Sequence, residues 1–185
     1  IELKDKTILQ GDFLDFCLHT EKRFDTVIGN PPYIRYQFLD KRQQVFSASI
    51  FKKAGIRYSK LTNVWVSFVV GATLLLKDNS RMAFVLPAEL LQVGYAAPLR
   101  KFLTNSFNLI HIVSFQKLVF PEIQQEVVLL FCEKDGSSTH KMEHVEVKDA
   151  NSLANLNLKE TRAFSGRWTS IFRTALRILF HTFVW

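Results

Sequence analysis

Asn30, Pro31, Pro32 and Tyr33 follow directly on the run Asp25-Thr26-Val27-Ile28-Gly29, and their types and order suit one kind of chemistry. A planar exocyclic amine has its lone pair delocalised into the ring. To attack a methyl sulfonium it must draw that lone pair back toward tetrahedral geometry. Two acceptors placed against its two N–H bonds favour that change and stabilise the positive charge that develops on nitrogen. The Asn30 side-chain oxygen can be one acceptor and the Pro31 carbonyl the other. Proline fixes its own φ and pushes the preceding residue out of the α region, so two prolines hold both acceptors rigidly. Tyr33 adds an aromatic face on which a base can stack. Asn-Pro is also a common turn dipeptide. Four fixed residue types at the end of an apolar strand are harder to explain as a turn alone.

Other elements must carry this motif. Residues 7–11 read as a short strand ending at Gly11-Asp12-Phe13, and 13–20 as a short helix. Residues 25–29 read as an apolar strand buried on both faces. The segment 35–60 reads as helix plus loop. Thr62-Asn63 suits a helix N-cap, and Val64, Trp65, Phe68, Val69, Ala72, Leu75 and Leu76 recur at helical spacing. They predict an amphipathic helix over 63–77, ended by Asp78-Asn79. A strand over 81–86 stops at Pro87, and Pro98 opens a helix over 97–105. Apolar strands follow at 108–115 and 126–133, joined through Val119-Phe120-Pro121 without room for a helix, as in an antiparallel hairpin at a sheet edge. A turn at Gly136-Ser137-Ser138 leads to a weaker strand at 143–147. Alternating strands and helices predict an α/β fold with crossover connections.

Composition bounds the partners. The 185 residues suffice for one domain with a real core, and 48% hydrophobic residues with 17 Phe exclude a disordered chain. Cys17 and Cys132 lie far apart in apolar stretches and read as buried thiols of a reducing, cytoplasmic protein. No signal peptide is evident. The aromatic stretch Ser170–Trp185 contains Arg173 and Arg177 and is too short for a bilayer, so it reads as the start of a helix. The net charge of +7 suits a polyanion. Between Arg35 and Lys60 stand seven basic residues against Asp40 alone, a local +6, interleaved with Tyr36, Phe38, Phe46, Phe51 and Tyr58. Such a run is often a solvated helix face. Beside a base-handling motif, Arg35, Lys41, Arg42, Lys52, Lys53 and Arg57 read instead as contacts to DNA phosphates. His140 and His144 are four apart, but no Cys or carboxylate frame surrounds them and no metal is expected.

From about Ile8 to Lys134 the chain resembles the gamma class of DNA adenine-N6 methyltransferases, the Taq-type enzymes and their restriction–modification relatives. Four blocks carry the resemblance: Gly11-Asp12-Phe13-Leu14; Gly29 through Arg35; the helix and strand over 63–87; and Val119-Phe120-Pro121 with the apolar strand after it. The resemblance implies a class I, Rossmann-like sheet of seven strands with a hairpin at one edge. It implies methyl transfer from S-adenosylmethionine to N6 of an adenine extruded from double-stranded DNA, within a restriction–modification system that includes a restriction subunit or domain. It gives Asp12 the adenine amine of the cofactor, Phe13 a packing face on that adenine, and Phe120 the far side of the target base. Asp12 has an ordinary alternative as a helix N-cap.

The departures from the family are equally specific. The chain opens on Ile1 and holds no Gly-x-Gly run, so the glycine loop and the ribose-binding acid of the family are expected upstream, with the first strands. Residues 1–150 then form a partial catalytic domain, and 151–185 a linker and the start of a target-recognition region. On this reading the piece alone binds cofactor poorly and methylates little. A protein glutamine methyltransferase of the release-factor type shares Asn-Pro-Pro-Tyr and is the alternative, as is a DNA-binding remnant without activity. The basic segment and the Val-Phe-Pro block favour DNA.

Overall fold

The computed structural model describes residues 8–119, 125–156 and 164–165. In chain order these form α1 (Phe13–His19), β1 (Phe24–Gly29), α2 (Lys41–Lys53), α3 (Val64–Leu74), β2 (Leu76–Pro87), α4 (Ala97–Ser106), β3 (Leu109–Phe115), β4 (Val127–Glu133), β5 (Lys141–Val147) and the short β6 (Phe164–Ser165). One mixed sheet has the order β1-β2-β4-β3-β5-β6. β1 runs parallel to β2, β4 is antiparallel to both β2 and β3, and β5 is parallel to β3. The expected α/β fold and its β3–β4 hairpin are present. The hairpin does not end the sheet, because β5 covers β3 and β6 pairs beyond it.

The main core lies on one sheet face, where Met82, Phe84, Leu86, Ile110, Ile112 and Leu130 meet α3 and α4. A smaller cluster of Val113, Val145 and Val147 occupies the other face. α3 differs from the predicted amphipathic helix. Val64, Trp65, Val66, Ser67, Val69, Val70, Gly71, Ala72 and Thr73 are all buried, since β2 covers one side and α1, α2 and α4 cover the rest. Gly71 permits this fit: a β-carbon there would stand 3.1 Å from the Cys17 sulfur. Both cysteines are free and buried, as expected, and burial pushes the Cys17 thiol up to about 12.

Two strands depart from expectation. Residues 8–10 form no strand; Ile8 and Leu9 are exposed and pair with nothing among the described residues. β1 is not buried on both faces. It is the first strand of the sheet, with β2 as its neighbour, and Ile28 is 76% exposed. β2 begins five residues earlier than predicted because Asn79 does not end a helix. It adopts φ 54° inside the strand, where the β1 register shifts between Phe24 and Thr26. Asparagine tolerates that left-handed conformation. Lys77 and Asp25 close this irregular end with an ion pair at 2.9 Å.

Candidate active site

β1 delivers Asn30 to Tyr33 at its C-terminal end, beside the matching end of β2. The strand sits tightly there: a β-carbon on Gly29 would lie 3.1 Å from the Phe84 ring. Asn30 is exposed and Pro31 buried, so the asparagine side chain faces out from a fixed base. The Tyr33 hydroxyl lies 3.1 Å from Asn30 Oδ1 and 3.1 Å from the Val85 carbonyl, and can donate its proton to either acceptor. Tyr33 therefore does more than offer a ring. When its hydroxyl donates to Asn30 it orients Oδ1, whose second lone pair is left for a further donor; when it donates to Val85 it anchors Tyr33 to β2. Burial raises the Tyr33 hydroxyl to about 12, which keeps it a donor throughout the neutral range. Sequence reasoning missed this contact, which links positions 52 apart.

The segment after the motif is pinned to α3. The Val64 amide donates to the Ile34 carbonyl at 2.9 Å, and Arg35 pairs with Asn63 in an isolated antiparallel bridge. Asn63 occupies the expected N-cap position without capping through its side chain, and its Oδ1 is buried with no partner among the described residues. Behind it, Trp65 packs on Tyr95, with ring centroids 6.3 Å apart. The Tyr95 hydroxyl bonds Glu89, just past the end of β2. Burial and then Glu89 push that hydroxyl well above its ordinary range. Glu89 and Tyr95 carried no sequence signal, since their proximity depends on two tight turns at Ala88–Leu91 and Gly94–Ala96.

Asp12 is the N-cap of α1, the ordinary alternative to its cofactor role. Its Oδ1 accepts from Leu14 N at 2.8 Å and Asp15 N at 3.1 Å. Oδ2 has no partner among the described residues, so a ligand amine can still be held there. Phe13 stacks on Phe68, with centroids 5.0 Å apart and planes 22° apart. One ring face is thus committed to the protein. Phe120 lies outside the described residues.

The six basic candidates divide. Arg35, Lys41, Lys52 and Arg57 are exposed and carry no ion pair among the described residues. Arg42 pairs with Asp15 at 3.1 Å and lies over the Phe46 ring. Lys53 donates to the Cys17 and Leu18 carbonyls at the end of α1, at 3.5 and 3.3 Å. These two fasten α2 to α1. Asp40 caps α2 through a capping box with Gln43. The histidine pair is split: His140 bonds the Phe107 carbonyl, whereas His144 is buried against Ser114. No helix among the described residues is long and apolar enough to cross a membrane.

A Rossmann-like sheet with an Asn-Pro-Pro-Tyr turn at a strand's C-terminal end is the arrangement expected of a class I methyltransferase. Residues 2–120 match the Eco57I restriction-modification methylase family, and the chain belongs to that family. It is 26% identical over 177 residues to the type II methyltransferase M.XamI of Xanthomonas campestris pv. amaranthicola, covering 90% of this chain and 33% of that protein. It is 23% identical to M.AccI of Acinetobacter calcoaceticus, covering 74% of this chain and 25% of that one. The chain thus spans a third or less of the length of these relatives. Among solved structures, the type IIG restriction endonuclease BpuSI superposes with a TM-score of 0.62 at 19% identity, over 91% of this chain and 22% of that one. The type I methyltransferase subunit from Streptococcus thermophilus also gives 0.62, at 18% identity, over 89% and 39% of the two chains. These structures support the fold.

Proposed function

We propose that the whole protein is a site-specific DNA methyltransferase, the modification activity of a restriction–modification system, acting on N6 of an adenine extruded from the duplex. The observation that carries this reading is the exposed Asn30 at the end of β1, its Oδ1 3.1 Å from the Tyr33 hydroxyl and the buried Pro31 next to it. Asn30 and Pro31 accept the two N–H bonds of the target amine, and the Tyr33 ring stacks on its base. As the amine becomes tetrahedral, the two acceptors stabilise its growing positive charge. S-adenosylmethionine, when bound, supplies the electrophilic methyl group. The residues present fit its adenine end: Asp12 Oδ2 can take the amine, and the half-buried Phe13 ring can pack on the adenine. Phe120 is proposed to close on the far side of the target base. Lacking a Gly-x-Gly run, the 185 residues alone are proposed to turn over little.

Family membership favours DNA over the side-chain amide of a release factor as substrate. The test is methyl transfer from labelled S-adenosylmethionine by the full-length protein, offered duplex DNA and release factor in separate reactions. Label in DNA alone is expected. Label in release factor alone would overturn the proposal.

A further inference from the structure

Three exposed apolar residues lie on the segments that pair just after the Asn30–Tyr33 turn, and the motif does not use them. Phe38 is 71% exposed, Leu61 82% and Ile34 41%. All three lie within three residues of one backbone pairing, Ile34 and Phe38 in one segment and Leu61 in the other. The Arg35–Asn63 bridge brings the two strands together, Leu61 lies two residues before it, and a tight turn closed by Phe38 N to Arg35 O at 3.0 Å follows it. Single exposed apolar residues need no explanation, but several side by side mark a contact. Phe38 lies five residues beyond Tyr33, so the chain limits the two to about 17 Å apart, and the turn at Tyr36–Phe38 shortens that reach.

The charge around these residues identifies what they meet. Arg35, Lys41, Arg57 and Lys60 are exposed and unpaired among the described residues. A protein partner would meet a strongly cationic rim, whereas a duplex presents phosphates on both sides of a stacked, apolar interior. Extruding a base leaves a gap in that stack, and an apolar side chain entering from the same surface offsets the lost stacking. We propose that Phe38, supported by Leu61, is a wedge that enters the base stack beside the extruded nucleotide, while the flanking cations hold the phosphates. This rests on the DNA reading above.

The test measures binding of the full-length protein to two short duplexes, one intact and one with a single abasic site that provides the gap in advance. Wild type is expected to prefer the abasic duplex by about tenfold, the scale of one base–aromatic stack. Phe38→Ala should reduce that preference to about twofold or less, and Phe38→Trp should retain it, both without change in thermal stability because the side chain is exposed. Equal preference in wild type and Phe38→Ala would overturn the wedge while leaving DNA binding intact. Loss of self-association in Phe38→Ala with the preference unchanged would overturn it in favour of a protein contact. Failure of wild type to bind either duplex in a salt-dependent way would remove the DNA reading itself, and the wedge with it.

Discussion

Replacing Asp12 separates two jobs that one carboxylate can hold. Oδ1 accepts the Leu14 and Asp15 amides at 2.8 and 3.1 Å and so caps α1. Oδ2 is the atom proposed to take the cofactor amine. Asparagine caps as well as aspartate, while alanine removes the cap at a cost of about 1 kcal/mol. For a chain of this size that lowers Tm by about 2–4 °C. Asparagine can place its oxygen on the two amides, but it then presents an NH2 group where Oδ2 stood. A charge-assisted hydrogen bond of about 1.5–3 kcal/mol is lost there, which weakens cofactor binding about ten- to hundredfold. Calorimetric titration with S-adenosylmethionine and thermal melting of the full-length protein read the two effects separately. Asp12→Asn should keep its Tm and bind weakly; Asp12→Ala should lose both. An asparagine variant that binds as tightly as wild type would show that Asp12 only caps a helix.

Tyr33→Phe keeps the stacking ring but removes the hydroxyl that orients Asn30. It should lower kcat by about two- to tenfold, the effect of one net hydrogen bond, with little change in DNA affinity measured by anisotropy. Lys52→Ala should lower the salt slope of DNA binding by about one unit, as expected for one phosphate contact. Lys53→Ala should change the slope less and lower Tm, because Lys53 is spent on α1. Burial raises both Tyr33 and Tyr58 to about 12 in the folded state, above the ordinary value of 10.0. The unfolded chain releases these protons first, as it does that of the buried Cys17 from about pH 9, so stability should fall from about pH 9 to about pH 12. Melting curves across that range should show a shallower loss in Tyr58→Phe.

The sequence showed most of the elements and little of how they meet. Strands at 108–115 and 126–133 were legible because runs of Val, Ile, Leu and Phe have few other homes, and they became β3 and β4 within a residue or two. The exposure of β1 was not legible. Val27-Ile28 reads as buried in any sheet centre, and only its edge position makes Ile28 solvent-facing. Residues 8–10 have strand composition, yet a strand is defined by its partner and none stands beside them among the described residues. The Asn30-Pro31-Pro32-Tyr33 turn at the end of β1 was readable because it is local. The hydroxyl that aims Asn30 was not, since Val85 arrives from β2. Likewise, nothing in a run of charges tells which cation bonds inward: Arg42 and Lys53 do, and Lys41 and Lys52 do not.

Asn30 and Pro31 are proposed to hold an adenine amine for methylation. Nucleoside analysis of DNA modified by the full-length protein, with and without Asn30→Ala, tests it most directly. The expected product is N6-methyladenine, its formation falling about 10²–10³-fold in the variant, the scale seen when one stabilising group is removed from a transition state, with DNA binding retained. A methylated cytosine as product, or unchanged turnover in Asn30→Ala, would contradict it.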